Sequence, residues 1–407
     1  MKNLIVFLCG VVFLMLCSCR KSEPVPEARP GEREYLTMIK AEGNFILGEQ
    51  ELEQQVFGFI NINADAEEQT LFTGSEEYSV NIPNAQKTAL YVFHTEKGGS
   101  EGFIIACNDK RVGIILAIIE EDPFAIKVKW FDDIILNGIE NFINHKIALF
   151  NNITGKEKRQ APVKPWAVTW QNGNYIPIKA RWNQGWPYNY VVFTELGVPQ
   201  GTGVLAGTGP AALGRFLSWY RYPRRFSWMP HGSEYYNHQY DWENMAPVFH
   251  HRMSDRVVPN SPVMDVAILF WELFGWSNTQ PTPDRGDWVY TKPEYFINAL
   301  WSLRFVPPTH EFIPYDFDTI KESIAVTGVP VFVYGNEEYW FMDGVSELQY
   351  YADSFAEPFA RCNIGKSAEN LWNDEYGWGG PSGWYASGIF SEGETSFDVK
   401  ILPYVVR

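Results

Sequence analysis

The hydrophobic pattern of residues 165–407 changes period once, and that change limits the folds open to the chain. Three runs at helical spacing come first: Ala211 to Tyr220, "VMDVAILFWELFG" (Val263 to Gly275) and "EYFINALWSL" (Glu294 to Leu303). After Asp318 the runs read as strands, "GVPVFVYG", "EYWFMDGV", "GWYASGIF" and "SFDVKILPYVV". Helices first and strands second predict an α+β body, a helical lobe against a twisted antiparallel sheet with a cleft between the two lobes. The first helix starts abruptly, because the stripe Leu213, Phe216, Leu217 and Tyr220 follows directly on a Gly-Thr-Gly-Pro corner. A nucleophile suits such a corner, and the residue standing there is Thr208. Its structural role is equally plain: Pro210 suits a first turn, and a Thr just upstream can make a capping hydrogen bond.

At 407 residues the chain can hold two domains with cores of their own. Residues 35–153 read as a smaller α+β domain. Gly48 to Ile62 has helical spacing, Ala89 to Phe124 is β-rich and broken at Gly98-Gly99 and Asn108-Asp109, and Asp132 to Ile153 is helical again. A polar linker, residues 154–164, separates it from the body. No internal repeat is visible.

The opening, "MKNLIVFLCGVVFLMLCS", is one Lys followed by an apolar run too short for a comfortable membrane span, which is the form of a secretory signal over residues 1–18. Leu16-Cys17-Ser18-Cys19 resembles the lipobox of bacterial lipoproteins, which implies cleavage before Cys19 and a lipid on its thiol. Residues 19–34, rich in Pro and charge, read as a tether. The expected location is therefore a bacterial cell envelope, anchored through Cys19 to the outer membrane or cell surface, with a periplasmic face also open.

Composition removes other classes. A net charge of −16 with no run of five like charges offers nothing to nucleic acid. Apolar residues at 45% and aromatics at 16% speak for a folded chain. Beyond Cys19 only Cys107 and Cys362 remain, too few for a disulfide framework, and the sequence does not say whether they meet. No CxxC or HExxH exists, and no metal or cofactor is expected. His238, Asp241, Glu243, His250 and His251 could compose a metal site on paper, but their setting reads better as surface structure. "GTGVLAG" (Gly201 to Gly207) lacks the preceding strand and later acid of a nucleotide loop. The sixteen Trp are scattered, as core residues are.

Six stretches carry a resemblance: "RWNQGWPYN" (Arg181 to Asn189), "GTGPAALGRFLSWYRYP", "YDWENM" (Tyr240 to Met245), "GVPVFVYG" (Gly328 to Gly335), "WFMDG" (Trp340 to Gly344) and "YGWGGPSGWY" (Tyr376 to Tyr385). Their order and approximate spacing resemble the streptopain-type cysteine peptidases, and Leu90 to Phe124 looks like that family's propeptide, the fold of its small inhibitors. The resemblance implies a papain-like two-lobed body, residues 165–407, behind a propeptide-like domain, residues 35–153. It also implies where chemistry has gone. Thr208 stands at the position of the nucleophilic Cys, Glu338 at that of the catalytic His, and Glu375 at that of the residue orienting the His. Gln184 matches the oxyanion-hole Gln. Gln184, Trp340, Trp378 and Gly379 would line the cleft.

The chemistry agrees with a loss of activity. A thiol at a helix N-terminus beside an imidazolium becomes a thiolate at neutral pH, whereas a Thr hydroxyl needs a general base as it attacks. An ordinary carboxylate, with a pKa of about 4.3, is a weak base at pH 7. The expectation is a lipid-anchored pseudopeptidase whose cleft binds a peptide or protein, or whose N-terminal domain contacts an active relative. Two alternatives stay open: a hydrolase remodelled around Thr208, Glu338 and Glu375, and a structural envelope lipoprotein.

Overall fold

A computed structural model of the chain describes residues 28–29, 31–61, 69–79, 87–119, 133–153, 169–180, 182–197, 205–225, 235, 237–245, 257–281, 289–349, 356–363, 383–391 and 399–407. The N-terminal unit holds helices α1 (Glu32–Glu42) and α2 (Glu49–Ile60), strands β1 (Leu71–Ser79), β2 (Ala89–Lys97), β3 (Ser100–Cys107) and β4 (Ile115–Ile119), and helix α3 (Asp133–Asn152). The body opens with β5 (Thr169–Tyr175), α4 (Tyr190–Glu195), α5 (Thr208–Tyr220) and α6 (Pro262–Trp276). A short pair, β6 (Gln280–Pro281) and β7 (Val289–Tyr290), leads to α7 (Pro293–Ser302), β8 (Ile313–Pro314) and α8 (Phe317–Lys321), which runs into a π turn, Glu322–Val326. The chain closes with β9 (Val331–Gly335), β10 (Glu338–Gln349), β11 (Ala356–Asn363), β12 (Gly383–Ala386), a 3-10 turn (Ser387–Phe390) and β13 (Lys400–Leu402).

Local chemistry accounts for many of these boundaries. Ser261 caps α6 by accepting the Met264 N–H, with Pro262 in the first turn. Asp316 does the same for α8 through the Thr319 N–H. Gly98 and Gly99 both take positive φ, as a two-residue hairpin between β2 and β3 requires. Asn336 and Glu337, at φ 49 and 65, make the matching turn between β9 and β10. Glu337 is unusual there, since a β-turn of this kind ordinarily uses Gly or Asn.

The described residues form an α+β structure, with mixed helices and an antiparallel sheet. Its eleven-stranded sheet runs β1-β2-β3-β4-β12-β11-β10-β9-β13-β8, with β5 added beside β10. The N-terminal unit and the body thus share one sheet, because β4 pairs with β12. They also share one apolar core, which includes Leu36 and Phe142 of the first and Phe216 and Phe332 of the second. Helices α5, α6 and α7 pack together beside β10. Phe216 of α5 meets Phe305 at 5.1 Å and Phe332 at 4.7 Å, and Gly214 lets α5 approach Phe270 of α6.

Several expectations need correction. The tether was expected to reach residue 34, but α1 begins at Glu32, which is 2% exposed and bonded to Lys146. Charge there serves a buried network rather than solvation. Strands β1, β5 and β11 were not anticipated: "TWQNGNY" and "AEPFARCN" lack clean alternation, and their pairing with β10 comes from its long, bent reach. "GWYASGIF" is a strand only to Ala386, and the described part of "SFDVKILPYVV" contributes Lys400–Leu402. The sequence left open whether Cys107 and Cys362 meet, and the fold answers that they do not pair: both are buried and free. Among the described residues, no helix is long and apolar enough to cross a membrane.

Candidate functional site

The corner before α5 is made by Gly207, at φ 93 and ψ 148, a conformation that suits glycine. A Cβ there would also come within 3.1 Å of Val289 and 3.2 Å of Thr279. Gly207 makes the turn itself, so Thr208 becomes the first residue of the helix and not its cap. The capping bond expected of Thr208 is absent from the helix end, which has no side-chain cap. Its hydroxyl oxygen instead accepts the backbone N–H of Tyr339 at 3.1 Å. Helix start and strand β10 are thereby tied together, at a point where Thr208 is 9% exposed.

Beneath that corner lies a run of buried hydroxyls. Ser277 meets Thr279 at 2.7 Å, Thr279 meets Thr291 at 2.7 Å, and Ser277 donates onward to the Leu273 carbonyl. A Cβ on Gly209 would sit 2.7 Å from the Thr291 hydroxyl, so small residues on both sides of Thr208 let the helix start settle on this run. The Tyr339 ring stacks on Phe296 at 4.5 Å and its OH donates to the Thr291 carbonyl at 2.7 Å. Burial pushes the Tyr339 hydroxyl far above its ordinary range, so it stays protonated and structural.

Glu338, expected at the position of a base, is the first residue of β10 and is 6% exposed. Side chains alternate along a strand, which gives Glu338 the face of Trp340 and puts Tyr339 and Phe341 on the other. Phe341 faces α5, with the Arg215 guanidinium 5.2 Å from its ring. Trp340, expected to line a cleft, is 4% exposed and packs 6.4 Å from Phe390, against Gly335. Its indole N–H is buried with no hydrogen-bond partner among the described residues. Gln184 is buried, and its backbone carbonyl accepts the Ala206 N–H at 2.8 Å, which draws the Trp182 to Asn189 segment onto the corner. Glu375, Trp378, Gly379 and Cys19 lie outside the described residues.

Sequence reading missed the charged layer just behind. Asp343 is skipped by the β10·β11 register, a bulge between Met342 and Gly344. Both of its carboxylate oxygens accept from Arg361 at 2.8 Å, and Asn363 adds a longer contact at 3.4 Å. Arg215 of α5 donates to Asn363, joining helix and sheet. A Cβ on Gly344 would fall 2.9 Å from both Arg361 and Trp384, so the Asp-Gly pair combines a buried charge with a close approach. Only the Asp-Gly dipeptide hinted at this.

The other constellations resolve into ordinary contacts. His238 bonds Asp265 at 2.9 Å, Asp241 accepts from Asn244 at 2.7 Å, and Glu243 pairs with Arg221. His250 and His251 lie outside the described residues, and no group of three or more potential metal ligands occurs among the described ones. Burial raises the thiol pKa values of both Cys107 and Cys362, so neither supplies a thiolate at neutral pH.

The corner therefore offers a hydroxyl at the positive end of a helix, held by the strand amide of Tyr339, while strand alternation turns the Glu338 side chain to the opposite face of β10. Neither Thr208 nor Glu338 supplies a thiol or an imidazole. No family model, curated protein or solved structure matches the chain, so any kinship rests on its own motifs.

Proposed function

We propose that the chain is a lipid-anchored, streptopain-like pseudopeptidase of a bacterial cell envelope, with a papain-like two-lobed body that binds an extended peptide or protein segment. One observation carries the reading. Thr208, which the motif order would put at the nucleophile position, stands at the first turn of α5, and its hydroxyl accepts the Tyr339 N–H, one residue along from Glu338, which the same order would put at the His position. The contact supports a retained junction of helix and strand on which the chemistry has been exchanged. A groove can outlast its nucleophile, since binding needs shape and hydrogen-bond donors while cleavage needs a thiolate and a base.

Two measurements test this. Purified protein should leave casein and fluorogenic peptides intact while retaining peptides from a library, and the N-terminal unit should stay covalently attached on incubation, as mass spectrometry reads it. Casein cleavage, or self-cleavage in residues 154–164, that disappears in Thr208→Ala would establish the remodelled hydrolase instead. Retention of no peptide would favour a structural lipoprotein.

A further inference from the structure

The N-terminal unit and the body meet along one seam. Ile118 of β4 lies opposite Trp384 of β12, and Ala117 opposite Tyr385. The approach is close: a Cβ on Gly383 would fall 2.6 Å from the Ile118 carbonyl oxygen and 2.6 Å from the Ile119 side chain. Helix α3 closes on the following turn in the same way, since a Cβ on Gly138 would fall 2.6 Å from the Ile389 carbonyl oxygen. Behind the ladder, Lys146 of α3 bonds Glu32 of α1 and, at 2.9 Å, Glu357 of β11. Arg29 reaches Glu357 at 3.0 Å and Glu32 at 3.4 Å, so two acids and two bases bind three distant segments.

We propose that the N-terminal unit is a permanent half of the fold, and that cutting the chain in residues 154–164 leaves the two pieces joined without a covalent link. Separation would strip β12 of its neighbour, leaving a raw sheet edge. It would also part the buried carboxylate of Glu357 from Lys146 and Arg29, which stay with Glu32 on the N-terminal piece, and divide a common core. Cutting a linker removes only its effective concentration and no contact of the seam. The inference stands independently of what the α5 corner binds. Where Cys19 carries a lipid, it means that a clip does not shed the body from the membrane.

The test uses the full chain with a site-specific protease sequence inserted in residues 154–164. After complete cutting, size exclusion at low micromolar concentration and native mass spectrometry should show one species of the uncut mass. Mixed with isotopically labelled cut protein, it should exchange fragments slowly. Gly383→Ala wedges β4 from β12 and should speed exchange about tenfold, by the usual cost of overpacking. Gly74→Ala in β1, with nothing within 4 Å of its Cβ, should leave exchange unchanged. Should Gly383→Ala fail to accumulate as folded protein, Lys146→Met is read in the same way. Two separate species from the cut wild-type protein would overturn the proposal, as would equal exchange by the wild type and the seam variant.

Discussion

Replacing Lys146 with Met removes one charge from the network and keeps the length of the side chain. Glu32 and Glu357, 2% and 3% exposed, would then face each other with Arg29 as their remaining described partner. Breaking a buried pair by deleting one member costs roughly 3–5 kcal/mol. Arg29 is 34% exposed and still reaches both acids, so the expected loss is at the lower end, about 3 kcal/mol at pH 7. The pH dependence follows from Glu32. Burial alone would raise its pKa, but Lys146 and Arg29 outweigh burial and hold it below the ordinary 4.5. A depressed carboxyl stabilises the fold above the unfolded-state pKa, and that contribution fades as pH falls through the folded-state value. In Lys146→Met, Glu32 should instead take up a proton at higher pH, relieving its repulsion with Glu357. Urea unfolding, followed by tryptophan fluorescence and by circular dichroism, should therefore show a gap between wild type and variant that is widest at pH 7 and narrows toward a pH of about 4. A gap below about 1 kcal/mol at pH 7, or one that does not change with pH, would refute the network as a holding element.

Four further outcomes are expected. Thr208→Cys alone should alkylate slowly with iodoacetamide at neutral pH, because no imidazole stands there to take the thiol proton; Thr208→Cys with Glu338→His should alkylate faster, and equal rates would remove Glu338 from the His position. Fatty-acid labelling should mark the wild type and not Cys19→Ala, with equal labelling counting against the anchor. The buried thiols of Cys107 and Cys362 should resist alkylation in the native protein and react once it is unfolded in urea; rapid native modification would contradict their burial. Gly207→Ala should cost about 1–3 kcal/mol, read by thermal melting, since it must hold φ 93 and crowd Val289; an unchanged melting temperature would mean the corner can rebuild.

What the sequence determined by itself is local. The 3.6-residue stripe of α6 between Ser261 and Trp276, the Gly98-Gly99 turn, and the Gly-Thr-Gly-Pro start of α5 were legible because their causes lie within a few residues of one another. Motif order assigned roles to Thr208, Glu338 and Gln184 only through a resemblance, and what the fold adds is their places: the first turn of α5, the start of β10 and the segment bonded to Ala206. Tertiary structure alone decided which strands became neighbours. Ile118 and Trp384 are far apart in sequence, and no pattern in either run names the other, so the single sheet through both units was hidden. Charged residues were misread for the same reason: Glu32, Lys146 and Glu357 look solvated one at a time, and become a buried network only when α1, α3 and β11 converge. The contact of the Thr208 hydroxyl with the Tyr339 amide is of this kind too. Hydrophobic period and turn chemistry act along the chain, whereas pairing, burial of charge and close approach act across it, and only the folded arrangement brings their partners together.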